Sequence, residues 1–275
     1  MRVGSWARGV THRVTLCGGT ERRCRRLLAE GAAGGGAEAG AAVLVPLCSV
    51  RGRPALLYTL RCSRLRGPYG GDVSFPGGKR EAADGGAEGT ALREAREELG
   101  LNLREERVWG RLRELPDRNG DEDNAGTWGQ CGNIRKNTEM AKERGDGRGT
   151  WDVSVLESVL MLSSGLAMHG MLVVPVVANL GPLEDLTLSP NPDEVAEVFT
   201  LPLEHLLQEE NQGYTHFRTA GRYGYTLPVF LNGPHRIWGL TAIITELTLE
   251  LLAPNLYCRK THVPGHGITA PQKRA

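Results

Sequence analysis

Apolar positions along the chain fall into short unbroken runs, then into a helical period, then into runs again. Ala42-Val43-Leu44-Val45-Pro46-Leu47-Cys48 and Ala55-Leu56-Leu57-Tyr58-Thr59-Leu60 flank Arg51-Gly52-Arg53-Pro54. Runs this short, bounded by turn residues, predict the two strands of a buried hairpin. Phe75-Pro76-Gly77-Gly78 reads as a sharp glycine turn after an apolar run. Over residues 91–99 the period becomes helical: Leu92, Ala95 and Leu99 gather on one side, and Gly100 follows as a C-terminal stop. Val108-Trp109-Gly110-Arg111-Leu112 predicts another strand, and Leu172-Val173-Val174-Pro175-Val176-Val177-Ala178 a buried one. Leu201-Pro202-Leu203-Glu204-His205-Leu206-Leu207 begins a helix. Tyr225-Thr226-Leu227-Pro228-Val229-Phe230 predicts a strand that ends in the turn Asn232-Gly233-Pro234. Trp238-Gly239-Leu240 then enters a long amphipathic helix running to about Leu252.

The pattern stops between residues 117 and 170, which are rich in Gly, Lys, Arg and Asn. Connections longer than about 12–15 residues are uncommon in a compact domain. An insertion that loops out at 117–170 is therefore expected, with Val153, Leu156, Val159 and Leu160 suited to one loose amphipathic helix inside it. Glu21 to Glu30 reads as a short basic helix, and Gly31 to Gly40 as an Ala/Gly linker. The organisation expected is a basic, flexible segment at 1–40, one domain at 41–253 and a disordered tail at 254–275.

The polar side of the 91–99 helix carries the chemistry. Glu94 and Glu98 lie about 40° apart around the helix, and Glu97 about 60° to the other side of Glu94. Three like charges on one turn repel by a few tenths of a kcal/mol per exposed i,i+4 pair. A divalent cation among them removes that cost, and hard oxygen ligands at this spacing suit Mg²⁺ or Mn²⁺. A solvated charged face is the other reading that the spacing leaves open. Upstream, Arg61, Arg64 and Arg66 lead into Gly70-Gly71. Guanidinium groups match phosphate oxygens with paired donors, so this cluster suits an anionic phosphate as well as it suits solvent.

Composition changes this picture little. The chain has 275 residues, a net charge of +1 and a pI near 7.7, which gives no basis for non-specific nucleic-acid binding. Six cysteines show no metal-type spacing and fit reduced thiols better than a disulfide framework. No apolar run approaches the roughly 20 residues of a membrane span. The seven histidines are scattered, and none is assigned to a metal. Residues 1–20 hold Arg2, Arg8 and Arg13 and no Asp or Glu, the composition of an organellar transit peptide or of an ordinary basic tail. A mitochondrial location is expected on this basis, with the cytoplasm as the alternative.

The order Arg93-Glu94-Ala95-Arg96-Glu97-Glu98-Leu99-Gly100, with its upstream glycines, resembles the signature of the Nudix hydrolase family. Leu56 to Ser63, with Leu65, Gly71 and Phe75-Pro76-Gly77-Gly78, is similar to a narrower motif found just upstream of that signature in the coenzyme A diphosphatase branch. The branch usually carries a histidine where this chain has Tyr69 and an aspartate where it has Glu81. Asp84 stands in the place of the signature's first acidic residue, and its gap to Arg93 is one residue longer than in the general pattern, a spacing that coenzyme A members share.

The resemblance covers roughly 41–116 and 171–253 and implies an α/β fold, an α/β/α sandwich with a mixed sheet, here interrupted by the long insertion. It implies Mg²⁺ or Mn²⁺ held by Glu94 and Glu98 with Glu97 assisting, catalytic roles for Glu97 and Arg93, and substrate contacts from Arg61, Arg66, Gly77 and Gly78. Glu194 and Glu197 are further acidic residues suited to the metal or the attacking water, or to a solvent-facing edge. The reaction implied is hydrolysis of the diphosphate bond of coenzyme A or its thioesters, a small-molecule substrate, by a monomer or homodimer. ADP-ribose or NADH as substrate, or an inactive coenzyme A-binding chain, are the rival readings.

Overall fold

The two apolar runs of the hairpin pair as expected, and the rest of the molecule is laid around them. In the computed structural model, which describes residues 14–32, 40–64, 71–116, 172–219 and 223–261, β1 (Ala41–Val50) and β2 (Arg53–Arg61) are antiparallel, with Val50 opposite Arg53. Arg51 (φ 51°) and Gly52 (φ 73°) form the left-handed two-residue turn whose twist matches paired strands. Beyond Leu47 and Leu56 the two strands part. The gap is filled by β3 (Val73–Ser74), which pairs with the end of β2, and β4 (Gly77–Lys79), which pairs with the start of β1.

On the other side of β1 runs β7 (Leu172–Pro182), parallel to it from Ala41 opposite Val173 to Ser49 opposite Pro182. β5 (Val108–Arg111) and β6 (Leu115–Pro116) pair antiparallel with β7, Pro116 lying opposite Leu172. β8 (Val195–Pro202) pairs antiparallel with β2. The sheet is therefore mixed. β9 (Gln212–Thr219) and β10 (Tyr223–Phe230) make a separate antiparallel pair.

Neighbouring positions on the central strands face opposite sides, and both sides are apolar, as in a sheet buried between helices. On one side Leu44, Leu57, Val174 and Val176 pack with Ala87, Ala91, Ala95 and Leu99 of α2 (Ala87–Leu99). On the other, Val45, Tyr58 and Val177 share a core with Cys24 and Leu28 of α1 (Gly18–Ala32) and Ile243, Ile244 and Leu247 of α4 (Gly239–Leu252). The short α3 (Leu203–Leu207) follows β8. The arrangement is the expected α/β/α sandwich. No helix among the described residues is long and apolar enough to cross a membrane.

Both ends of the domain reach further than the sequence suggests. The short basic helix expected at Glu21 to Glu30 is there as α1, but it is packed rather than part of a flexible segment up to residue 40. Its Arg23 guanidinium donates to the carbonyls of Leu251 and Leu252, 2.9 Å each, and so satisfies orphan acceptors at the end of α4. Its Arg25 reaches the carbonyl of Val108 at 2.6 Å. At the other end, residues 254–261 are not a disordered tail. The fully buried Glu246 of α4 accepts from the Tyr257 hydroxyl (3.0 Å), from the backbone N–H groups of Lys260 (2.6 Å) and Thr261 (3.3 Å), and from the Thr261 hydroxyl. With Ala242 through Leu249 all buried, α4 is enclosed rather than amphipathic. The expectations placed on Arg66, Tyr69, the 117–170 insertion and residues 262–275 lie outside the described residues.

Candidate active site

Helix α2 begins after Gly86, whose φ of 98° suits glycine, and ends at Gly100, left-handed at φ 69°, whose N–H returns to the Arg96 carbonyl at 2.9 Å. Its alanine stripe lets it lie close against the sheet, and that depth grades the three carboxylates. Glu98 is 5 % exposed, Glu94 is half-buried and Glu97 is exposed.

Arg93 holds the group together. Its Nε donates to Asp84 Oδ1 at 3.0 Å, and Nη2 to Asp84 Oδ2 at 3.2 Å. Nη1 lies 2.9 Å from Glu97 Oε2 and 3.0 Å from Glu94 Oε1, and Nη2 also donates to the Lys79 carbonyl at 2.9 Å. Asp84 is itself fixed by the Thr90 hydroxyl and the Glu81 N–H, each at 2.9 Å. Above all the Arg93 hydrogen bonds hold the Asp84 carboxyl well below the usual carboxylate range.

Gly77 and Gly78 form strand rather than a glycine-specific turn, and neither has a positive φ. What they supply is the absence of Cβ. A Cβ on Gly77 would meet Val43 Cα at 2.6 Å, and one on Gly78 would overlap the Glu94 carboxylate. The Gly77 N–H points at Glu98 Oε1, 3.3 Å away.

Glu98 is perturbed in the opposite direction to Asp84. Burial pushes it up to about 7; the Gly77 N–H and the Arg61 charge oppose that, and the charges of Glu94 and Glu194 add to it. Burial likewise raises Glu94, against the pull of Arg93. A buried carboxylate, Glu98, raised further by the charges of Glu94 and Glu194 is part of a donor set short of positive charge, which fits a hard divalent cation. Glu94 is turned to Arg93 and Glu98 to the Gly77 amide, and among the described residues no three ligand side chains already converge on one point.

The loop before β8 supplies the residue that sequence reasoning left undecided. The Asn191 N–H caps the Glu98 carbonyl at 2.8 Å, the Ser189 N–H caps that of Leu99 at 2.9 Å, and the Glu194 carbonyl accepts the Cys62 N–H at 2.8 Å. This folds Glu194 toward Glu94 and Glu98, close enough to raise both. Glu197 lies opposite Leu60 on the other face of the sheet, bonded to His235 Nε2 at 2.8 Å beside Phe199, and has no part in the carboxylate group. Arg61 ends β2 on the α2 side and acts on Glu98 through its charge. The structure thus brings together Glu94, Glu98, Arg93, Gly77 and Gly78, with Arg61 alongside and Glu97 at the solvent edge. Asp84 and Glu194 complete the group.

The sequence matches the NUDIX domain model over residues 38–131. It is 52 % identical to human "Mitochondrial coenzyme A diphosphatase NUDT8" over 86 % of this chain and 80 % of that one. With the mouse protein of the same name it is 48 % identical, over 89 % of this chain and 93 % of the other. Among solved structures, the NUDIX domain of Shewanella oneidensis NrtR complexed with ADP ribose is similar with a TM-score of 0.36 at 16 % identity, covering 66 % of this chain and 86 % of that one. The helix that presents Glu94 and Glu98 under an arginine clamp lies within the matched region, and the chain belongs to the Nudix hydrolase family, whose members use divalent metal ions.

Proposed function

We propose that this chain is a mitochondrial diphosphatase that hydrolyses coenzyme A and its thioesters to adenosine 3′,5′-bisphosphate and (acyl-)4′-phosphopantetheine. The observation that carries the substrate is the identity of about half to the human and mouse coenzyme A diphosphatases across nearly the whole chain. The reaction class is supported by the half-buried Glu94 and buried Glu98 under the Asp84–Arg93 clamp.

Glu94 and Glu98, with Glu97 assisting, would hold Mg²⁺ or Mn²⁺, which supplies Lewis acidity to the phosphate oxygens and to the attacking water. Arg93 fixes where Glu94 points, because its guanidinium is itself fixed by Asp84 and the Lys79 carbonyl. Gly78 brings backbone against Glu94 where a side chain would displace the carboxylate, and Gly77 turns its N–H to Glu98. Glu194 and Glu97 are the carboxylates placed to take the proton from water, one facing the pair and one at its rim. Arg61, whose buried Nε has no hydrogen-bond partner among the described residues, has a donor to offer a phosphate oxygen. Glu97 and Arg93 are thereby a water-side carboxylate and its positioning residue.

The test is a mass-spectrometric assay of the purified protein with coenzyme A, with and without Mn²⁺. Adenosine 3′,5′-bisphosphate that forms only with metal is the expected result. No product from coenzyme A, with turnover of ADP-ribose, would retire the substrate and keep the reaction class.

A further inference from the structure

Beyond Arg61 the site has a second feature that the reaction does not use. Asp72 precedes β3 and accepts the Arg61 N–H on its backbone carbonyl at 2.9 Å. Its carboxylate accepts the indole N–H of Trp238, with the charges of Arg236 and Arg61 nearby. Trp238 precedes α4 and is 44 % exposed, the one aromatic among the large exposed hydrophobic residues described. The Arg236 guanidinium lies over its ring, 5.8 Å from the centroid.

This is a ring held in place but unused by the core. Ile237, between the two, is fully buried and pairs with Phe230, so Arg236 and Trp238 are turned together away from the interior. A bond at the indole edge and a cation over the ring restrict its rotamers while leaving aromatic surface open to water. Asp72 thus stands between Arg61, which it meets through the backbone, and Trp238, and Arg61 in turn acts on Glu98 through its charge. An aromatic surface beside a diphosphate pocket suits the base of the same nucleotide, since every base has a π-face to stack.

We propose that Trp238 is the base-stacking platform of the substrate site. It takes the purine ring of a nucleoside diphosphate compound on its open aromatic surface, and Asp72 and Arg236 fix the indole. The assignment rests on the diphosphatase reading above and adds which end of the substrate lies on the β3 side.

Calorimetric titration of the full chain with ADP and with 4′-phosphopantetheine, in Mn²⁺, tests it on wild type, Trp238→Leu and Trp238→Phe. Leucine keeps apolar bulk at an exposed position and removes the π-face, whereas phenylalanine keeps one. The expected result is ADP affinity lowered on the order of tenfold in Trp238→Leu and largely restored in Trp238→Phe, with 4′-phosphopantetheine unaffected. In turnover, KM for coenzyme A should rise by more than kcat falls. ADP affinity equal to wild type in Trp238→Leu would overturn the platform, as would a loss confined to 4′-phosphopantetheine. A wild-type protein that binds ADP through Trp238 but leaves coenzyme A intact would instead overturn the substrate reading alone.

Discussion

Arg93 grips Asp84 with two donors, Nε at 3.0 Å from Oδ1 and Nη2 at 3.2 Å from Oδ2, across the start of α2. Both partners are largely withdrawn from water, with side chains 13 % and 4 % exposed. The pair is the pivot from which Glu94 and Glu97 are aimed, because the third arm of the same guanidinium contacts both.

Asp84→Asn keeps the shape and removes the charge. Breaking one side of a buried pair costs about 3–5 kcal/mol when the other charge is left uncompensated; Arg93 keeps Glu94 and Glu97, so the low end of that range is expected. Urea denaturation should show a loss of that order, and kcat should fall with it as Arg93 swings away. Unchanged kcat in a folded Asp84→Asn protein would remove the clamp from the catalytic arrangement.

Glu98→Gln keeps the bulk of a side chain that is 5 % exposed. Losing a key electrostatic group costs at least about 10²-fold in kcat, and this is the loss expected in the steady-state rate with Mn²⁺. Activity within about threefold of wild type would rule out Glu98 as a metal ligand.

The same residue sets a pH dependence on the metal-free protein. Burial raises Glu98 to about 7, above its ordinary 4.5, so between those values the folded state binds more protons than the unfolded one. Stability therefore falls as pH rises through this window, by about 3 kcal/mol in all. In EDTA, wild-type Tm should drop from pH 5 to pH 8 relative to Glu98→Gln, with the variant the more stable at pH 8. Parallel Tm curves for the two proteins would contradict this.

Gly78→Ala puts a methyl group into the Glu94 carboxylate, and Gly77→Ala puts one against the β1 backbone. The first should act on rate, on the order of 10²-fold for a displaced catalytic group, with little change in Tm. The second should act on stability, at about 1–3 kcal/mol of overpacking. Paired kcat and Tm measurements separate them.

The carboxylate helix was legible because everything that makes it is local. Ala95 and Leu99 sit a helical turn apart, Glu94 and Glu98 share the other face, and Gly100 ends it. The hairpin was legible for the same reason, through Arg51-Gly52 between two apolar runs. Glu194 and Glu197 could not be told apart, because their faces depend on the register of β8 against β2, which shifts at Leu60/Arg61. The two ends of the domain were misread because what orders them is remote in sequence. Arg23 bonds carbonyls at Leu251 and Leu252, and Glu246 gathers donors from 257–261. The close approach of Gly78 to Glu94 leaves no mark in the sequence beyond a pair of glycines.

The pairing of Pro116 with Leu172 bears on the long stretch between them. These residues are neighbours across two hydrogen-bonded strands, so the chain leaves the sheet and re-enters it at the same doorstep. In topological terms Pro116 and Leu172 are the closed base from which the connection 117–171 branches. Closing such a branch costs only about 0.6 kcal/mol for each doubling of its length. The scaffold is therefore nearly indifferent to how much chain is spliced in at this point. That makes Pro116–Leu172 a natural port, where sequence can be gained or lost over evolutionary time without renegotiating the geometry of Glu94 and Glu98.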